Sequence, residues 1–258
     1  MSQRDVAARG ALVVGASGGI GAEVARELAR RGYHVSLVAR RVAELHTLAA
    51  AITVHRDLEN MRVYPHDVRD TDSAPALFSQ ITADLEAVGA PLRVLVYTAG
   101  VMPAAGPGGW SYDDERAMIE VNLLGAIQWC DLAAIYFTTR RAGAIVGVSS
   151  VAGDRGRNGN SVYMASKAGL NVYLESLRFR LAGAGVRVVT VKPGFVDTPM
   201  TADAPTPPAL TANPRAVARR IVDAATRGFD VVYSPWYWRP VMLVIKLIPG
   251  FLMKRRAF

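Results

Sequence analysis

The sequence predicts an α/β fold, with a doubly wound parallel sheet of about seven strands and helices on both faces. Three observations predict it: short, uniformly apolar runs recur along the chain, helix-length segments separate them, and the first run leads into a glycine-rich turn. Strands without a polar face are typical of parallel sheets that are covered on both sides. No Ser/Gly linker or low-complexity tract divides the 258 residues, so a single domain is expected over residues 1–258.

The first apolar run, Ala11–Gly15, predicts a strand. Apolar residues at helical spacing then predict a helix over Ile20–Arg31. Six further runs predict strands in the same way. They are Val35–Ala39, Met61–Tyr64, Leu92–Tyr97, Ala144–Val148, Val186–Val191 and Val231–Tyr233. Residues 199–214 contain five prolines and predict an irregular substrate loop, a lid or binding loop, with a disordered connector as the alternative.

The composition argues against several classes of protein. Cys130 is the only cysteine, which excludes an internal disulfide, and neither it nor the four histidines show metal-ligand spacing, so no metal is expected. The single cysteine fits a reducing, cytoplasmic location, and the polar stretch Met1–Gly10 predicts neither a signal peptide nor a leading membrane span. The net charge of +8 would suit an anionic partner, but the basic residues form no stripe; solubility is the simpler interpretation, and no nucleic-acid partner is expected.

The first predicted strand continues into the turn Gly15-Ala16-Ser17-Gly18-Gly19-Ile20-Gly21. Glycines at such a strand-to-helix turn let the backbone approach a diphosphate at the N-terminus of the helix. Because this turn opens the first βαβ unit, it predicts a Rossmann-type dinucleotide site.

The end of the second predicted strand indicates which dinucleotide binds. NAD-binding proteins normally carry an acid there for the ribose hydroxyls, whereas this chain has Arg40 and Arg41. Guanidinium groups bind a 2′-phosphate, which a carboxylate would repel. The pair therefore predicts NADP(H); the alternative is that both arginines only begin an Arg-rich helix.

A serine, a tyrosine and a lysine form the candidate catalytic set. Ser149-Ser150 is expected to close the fifth strand, and Tyr163 and Lys167 share one face of the next helix. Only four of the 30 basic residues are lysines, so a lysine at this position is informative. A cation beside a phenol favours its anionic form, so Tyr163 is predicted to exchange a proton with a substrate oxygen to which Ser150 donates a hydrogen bond. No GxSxG motif surrounds the serines, which argues against a Ser-His-Asp hydrolase.

In these motifs and their order, the chain resembles the short-chain dehydrogenase/reductase family from about Ala11 to Thr198. The resemblance implies an NADP-dependent enzyme that acts on CH–OH/C=O groups, assembled as a homodimer or homotetramer. It further implies that Asn122 helps to hold a water linking Lys167 to solvent. The cofactor contacts expected from the turn, the arginines and the resemblance together are Gly15, Ser17, Gly18, Gly19, Ile20, Gly21, Arg40, Arg41, Asp67, Val68, Ala99, Gly100, Tyr163, Lys167, Pro193, Gly194, Val196 and Thr198.

Two positions depart from the family pattern. Val14 stands where the family usually has Thr, and Thr98-Ala99-Gly100 replaces the usual Asn-Ala-Gly. Because the hydroxyl missing at position 14 reappears at position 98, we predict rewired polar contacts between the first and fourth strands, with an effect on stability.

The C-terminal segment, residues 236–258, combines aromatic and apolar residues with basic ones. Its apolar run is too short and too interrupted to span a bilayer, which needs ~20 residues. The pattern suits a helix in the membrane interface, peripheral on the inner membrane face, and is equally compatible with packing on its own domain or at a subunit interface.

The sequence thus predicts an NADP(H)-dependent oxidoreductase for a small-molecule carbonyl or alcohol, with a hydrophobic or lipid-like substrate. The alternative is a non-catalytic nucleotide-sensing or scaffold protein on the same fold. Such a protein would have no reason to retain Ser150, Tyr163 and Lys167 together.

Overall fold

The computed structural model describes residues 8–53, 61–105, 109–202 and 206–254. The strands in this part of the chain are β1 (Arg9–Val14), β2 (Tyr33–Ala39), β3 (Met61–Pro65), β4 (Leu92–Tyr97), β5 (Gly143–Val148), β6 (Val186–Pro193), β7 (Phe195–Val196), β8 (Thr211–Ala212) and β9 (Val231–Ser234). The α-helices are α1 (Gly19–Arg30), α2 (Val42–Thr53), α3 (Ala74–Ala87), α4 (Tyr112–Ile119), α5 (Gly125–Arg140), α6 (Ser161–Leu181), α7 (Pro214–Arg227), α8 (Trp238–Leu247) and α9 (Gly250–Met253).

Seven strands form one sheet in the order β3-β2-β1-β4-β5-β6-β9, and every neighbouring pair is parallel. This doubly wound sheet confirms the predicted fold. The order of the strands reverses at β1, which has β2 on one side and β4 on the other. In sheets of this kind a crevice opens beyond the carboxyl ends of the strands at the reversal, and ligands bind in it.

Helices cover both faces of the sheet, with a hydrophobic core on each side. On one face, α1 and α7 pack on the strands through residues such as Leu28 and Ile221. On the other face, α5 and α6 pack on them through Trp129 and Leu174. The central strands are therefore buried on both sides, which explains why their sequences are uniformly apolar.

Two local predictions differ from the structure. Strand β5 ends at Val148, so Ser149 and Ser150 follow it rather than close it. The predicted irregular loop, 199–214, contains β8, which pairs with β7, while residues 203–205 lie outside the described part of the chain. The β7–β8 pair joins the two sides of this loop, a contact that a local sequence pattern does not report.

The C-terminal segment packs on the domain with one face only. Trp238 and Met242 are buried against Val151, whereas the opposite side of α8 is exposed. Arg255 and Arg256, which contributed to the prediction of a membrane-interface segment, lie outside the described residues.

Among the described residues, one helical run, Tyr112–Arg140, is long and apolar enough to cross a membrane by length and composition alone. Half of its most apolar window is buried inside the fold, where Trp129 and Phe137 belong to the core. Core helices commonly meet the same criteria, so this run is weak evidence for a membrane span.

Candidate active site

The glycine-rich turn joins β1 to α1 at the reversal of the sheet. Gly15 has a φ of +92° and Gly19 a φ of +52°, conformations that favour glycine. A Cβ atom at Gly15 would overlap the backbone of Ala99, and one at Gly21 would overlap the carbonyl oxygen of Gly15. The turn therefore packs directly on the segment after β4, and the N-terminus of α1 is left facing the crevice.

Thr98 makes the contact that its departure from the family pattern predicted. Its hydroxyl donates a hydrogen bond to the carbonyl oxygen of Val14 at 2.8 Å, from the end of β4 to the end of β1. The same hydroxyl lies 3.2 Å from the carbonyl oxygen of Gly15. The hydroxyl thus ties the fourth strand to the start of the glycine turn; its effect on stability stays a prediction.

Arg40 and Arg41 lie at the outer end of the crevice, where β2 ends. The Arg41 guanidinium donates to the Ser17 hydroxyl at 3.0 Å, which places this cation beside the glycine turn. The Arg40 guanidinium lies 3.8 Å from the Asp67 carboxylate. Asp67 itself is held by Arg69 at 2.6 Å, and the hydrogen bond from Arg69 lowers the pKa of the Asp67 carboxyl.

A cleft of about 630 Å³ follows the glycine turn along the carboxyl edge of the sheet. Twelve of the predicted cofactor residues line it: Gly15, Ser17, Gly18, Gly19, Ile20, Gly21, Arg40, Arg41, Val68, Ala99, Gly100 and Thr198. Asp67 is not among the lining residues, because its side chain turns to Arg69. His66, to which the sequence assigned no function, lies in the wall of this cleft and packs edge-on against Trp129.

A second pocket of about 350 Å³ adjoins the cleft and shares lining residues with it, including Gly100, Thr198 and Met200. The remaining predicted site residues, apart from Asn122 and Asp67, line this pocket. They are Ser150, Tyr163, Lys167, Pro193, Gly194 and Val196. The structure therefore brings the predicted serine, tyrosine and lysine to one space that is continuous with the glycine-turn cleft.

The start of α6 positions Tyr163 and Lys167. Asn160 caps the helix by accepting a hydrogen bond from the Tyr163 backbone N–H at 2.8 Å, so Tyr163 lies in the first turn. Lys167, one turn later, donates from Nζ to the carbonyl oxygen of Val148 at 3.1 Å, and Nζ lies 5.8 Å from the centre of the Tyr163 ring. The Ser149 hydroxyl donates to the carbonyl oxygen of Lys167 at 3.1 Å, which joins the end of β5 to the helix.

Burial controls the protonation of these groups. It raises the pKa of Tyr163 above the ordinary value, and the neighbouring Ser150 hydroxyl opposes this rise. Burial also lowers the pKa of Lys167 to about 8. The Lys167 cation was predicted to favour the phenolate, but desolvation of Tyr163, which favours the protonated phenol, is the larger influence here.

Asn122 lies behind this pocket, in a π-helical turn between α4 and α5, and is fully buried. Its side-chain oxygen accepts from the backbone N–H of Val101 at 2.7 Å, and its amide nitrogen donates to the carbonyl oxygen of Val101 at 3.0 Å and to the Ser166 hydroxyl at 3.2 Å. The side chain therefore joins the segment after β4 to α6. The water-holding role of Asn122 stays a prediction.

Sequence reasoning missed several residues of the pocket wall, among them Arg157 and Trp238. Arg157 lies between the serines and α6, in a stretch without periodic pattern. Trp238 belongs to α8, and its indole lies so close to Gly194 that a Cβ atom there would overlap it. Only the tertiary structure brings this C-terminal side chain to the pocket.

A family model described as short chain dehydrogenase matches residues 9–208. This range covers β1 to β7 and the whole pocket wall apart from Trp238. The chain belongs to the short-chain dehydrogenases. An uncharacterized oxidoreductase of Myxococcus xanthus (strain DK1622) is 34% identical over 254 residues, which cover 96% of each chain.

Two further comparisons place this short-chain dehydrogenase among oxidoreductases. Carbonyl reductase family member 4 of Xenopus tropicalis is 35% identical over 189 residues, covering 73% of this chain and 76% of the relative. The solved structure of actinorhodin polyketide ketoreductase with NADPH has a TM-score of 0.75 and 26% identity, covering 90% of this chain and 97% of that one. The protein is therefore an oxidoreductase of the short-chain dehydrogenase family.

Proposed function

We propose that the chain, working as a single domain, transfers a hydride between NADP(H) and a carbonyl or alcohol group of a hydrophobic small molecule. The observation that carries the proposal is that Ser150, Tyr163 and Lys167 line one pocket, which is continuous with the glycine-turn cleft. The NADPH in the solved ketoreductase structure supports the choice of cofactor.

The residues of the cleft fit NADP(H). Gly18 and Gly19, which have no side chains, line the cleft where α1 begins, so a diphosphate could approach the backbone at the N-terminus of this helix. Arg41, held beside Ser17, would bind the 2′-phosphate, with Arg40 next to it. The nicotinamide supplies the hydride chemistry when the cofactor is bound.

The protein's own groups would manage the proton and the substrate oxygen. The Tyr163 phenol, whose pKa is raised by burial, is protonated at neutral pH and can give its proton to a carbonyl oxygen. Ser150 would donate a hydrogen bond to the same oxygen, which favours the negative charge that develops on it. The Lys167 ammonium would offset the charge left on the phenolate, and Asn122 would order the segment behind it.

Apolar side chains around the pocket support a hydrophobic substrate. Met102, Met164, Phe195 and Trp238 contribute to its wall beside the serine and tyrosine. Such a lining desolvates an apolar chain while a few polar groups orient the reacting atom.

The test follows the consumption of NADPH or NADH by its absorbance while the protein is supplied with a panel of apolar ketones and aldehydes. We expect turnover by the wild type and a loss of at least about 100-fold for Tyr163→Phe, which keeps the ring and removes the proton. Equal rates for the two proteins would remove Tyr163 from the mechanism. NADPH binding without turnover of any carbonyl or alcohol would favour the nucleotide-sensing alternative.

Cofactor preference is tested separately at Arg41. Loss of a charge-assisted contact to the 2′-phosphate should raise the KM for NADPH by about 10- to 100-fold in Arg41→Ala and leave the KM for NADH unchanged. Arg220→Ala, at an exposed arginine of α7 that lines neither the cleft nor the pocket, is the matched control. A preference for NADH in the wild type would overturn this part of the proposal.

We also propose that the chain forms a homodimer or homotetramer through the outer faces of α5 and α6. Ile135, Val172 and Phe179 are large apolar side chains exposed on these two neighbouring helices. Water-exposed apolar residues that cluster on adjacent helices are typical of a subunit interface. Light scattering should report a smaller assembly for Phe179→Glu than for the wild type.

Finally, we propose that the outer face of α8 and α9 contacts an anionic bilayer, as a peripheral attachment of a cytoplasmic protein. Leu243, Leu247 and Phe251 are exposed there, and residues 236–258 contain five basic and no acidic residues. Apolar side chains flanked by cations suit the interface of an anionic membrane. Sedimentation with phosphatidylserine vesicles, but not with phosphatidylcholine vesicles, is expected for the wild type and should be lost in Leu247→Glu.

A further inference from the structure

The pocket that holds Tyr163 carries a net positive charge on its described lining residues. Among its described lining residues are two cations, Lys167 and Arg157, and no carboxylate. Lys167 belongs to the proposed proton-transfer set. Arg157 has no part in that set and lies at the opposite end of the loop that starts at Ser150.

Arg157 has no hydrogen bond or ion pair with any residue in the described part of the chain, although its side chain is partly buried. The contrast with Arg155, two residues earlier, is informative. The Arg155 guanidinium donates to the carbonyl oxygens of Lys246 at 2.8 Å and Ile248 at 3.1 Å, and so attaches the C-terminal helices. Arg155 thus has a structural role, whereas the donors of Arg157 remain available in the pocket wall.

Asp154, the carboxylate that acts electrostatically on Arg157, already has other partners. Its carboxylate accepts from Lys192 at 2.6 Å and from the Tyr233 hydroxyl at 2.7 Å, and Lys246 lies 3.6 Å away. Desolvation lowers the pKa of the Arg157 guanidinium, and the electrostatic attraction of Asp154 only partly opposes this effect. The Asp154 carboxylate is therefore already paired with two lysines, and the charged residues of the pocket wall, Lys167 and Arg157, are both cations.

A partly buried guanidinium without a partner is costly, and a bound anion would offset that cost. The planar N–H donors of a guanidinium can form two parallel hydrogen bonds with the oxygens of a carboxylate or phosphate. The phosphates of the dinucleotide are an unsuitable source, because Arg157 lines the pocket and not the glycine-turn cleft, where Arg40 and Arg41 lie.

We propose that Arg157 binds an anionic oxyacid group, a carboxylate or a phosphate, on the substrate itself. The substrate is then an amphiphile: its carbonyl or alcohol carbon lies at Tyr163, its apolar portion contacts Met164 and Trp238, and its anionic group pairs with Arg157. This inference rests on the proposed function and makes Arg157 a determinant of substrate specificity.

The test uses three matched probes, a medium-chain keto acid, its methyl ester and the keto phosphate of the same chain length, each with NADPH. Wild-type protein should favour the two anions over the ester. Arg157→Met should lower kcat/KM for the anions by about 10- to 100-fold and leave the ester unchanged. Arg157→Lys keeps the charge but loses the planar donors, so its kcat/KM for the anions should lie between those of Arg157→Met and the wild type. Arg220→Met, at an exposed arginine of α7, is the control for the loss of one positive charge. The relative rates for keto acid and keto phosphate decide between the two anions.

Equal losses for ester and anions in Arg157→Met, or no preference for anions in the wild type, would overturn the proposal. A wild type that reduces none of the probes would count against the proposed function instead. Calorimetric binding of the keto acid to the wild type and to Arg157→Met, in the presence of NADP, then tests Arg157 without turnover. Identical affinities in that experiment would refute the anion contact.

Discussion

A buried carboxylate, Asp154, connects four segments around the candidate active site. It ends the short helical turn Val151–Asp154 that follows Ser150, and its side chain is 1% exposed. Lys192 at the end of β6 and Tyr233 in β9 donate to it at 2.6 and 2.7 Å, and Lys246 in α8 lies 3.6 Å away. We therefore predict that Asp154→Asn destabilises the whole fold rather than one loop.

The magnitude follows from the burial of each partner. In Asp154→Asn the Lys192 ammonium, 10% exposed, loses its counter-charge, and breaking a buried pair in this way costs about 3–5 kcal/mol. Tyr233→Phe removes one hydrogen bond to a charged acceptor and should cost about 1.5–3 kcal/mol. Lys246, at 42% exposure, is screened by water, so Lys246→Ala should cost at most about 1 kcal/mol.

Thermal and urea unfolding of Asp154→Asn, Tyr233→Phe and Lys246→Ala test whether the losses of stability decrease in that order. At this chain length about 2–4 °C of Tm corresponds to each kcal/mol, so Asp154→Asn should lower Tm by about 6 °C or more. Combining Asp154→Asn with Lys192→Met should cost less than the sum of the two single changes, because the double variant leaves no buried charge unpaired. Additive losses, or an Asp154→Asn variant no less stable than Lys246→Ala, would refute the reasoning.

Three further predictions concern single groups. Since burial lowers the pKa of Lys167 to about 8, kcat/KM for carbonyl reduction should fall as pH rises through about 8 and the ammonium is lost; a flat profile there would contradict this. Thr98→Val removes the bond to Val14 and should cost about 0.5–1.5 kcal/mol by urea unfolding, with weaker NADPH binding; unchanged values for both would reject the predicted rewiring. Hydrogen bonds from Arg30 and Arg31 lower the pKa of Glu27 to about 2, so its stabilisation is complete above the ordinary value of 4.5 and is lost as pH falls towards 2. The Tm deficit of Glu27→Gln should accordingly shrink below about pH 4.5, and a constant deficit would count against the ion pairs.

The sequence alone determined the sheet and the position of the crevice. All seven strands of the main sheet were predicted within a few residues, because the strands of a covered parallel sheet are rich in apolar residues and the central ones are apolar along almost their whole length. The glycine turn was also predictable from the sequence, because glycine is required at Gly15 and Gly21, where backbone contacts exclude a Cβ atom. Tyr163 and Lys167 could be paired because four residues make one helical turn, a relation that needs no knowledge of the fold.

Only the tertiary structure decided which distant side chains complete the pocket and how its charges balance. Tyr233 meets Asp154 across 79 positions of sequence, and Trp238 reaches Gly194 from the C-terminal helix. The hydrophobic periodicity of a segment does not reveal such pairs, because it predicts the local secondary structure and not which distant segment will pack against it. Burial is likewise a property of the assembled fold: it lowers the pKa of Lys167, raises that of Tyr163 and leaves Arg157 partly desolvated without a partner among the described residues. The chemistry of the site therefore depends on packing that local sequence does not encode by itself.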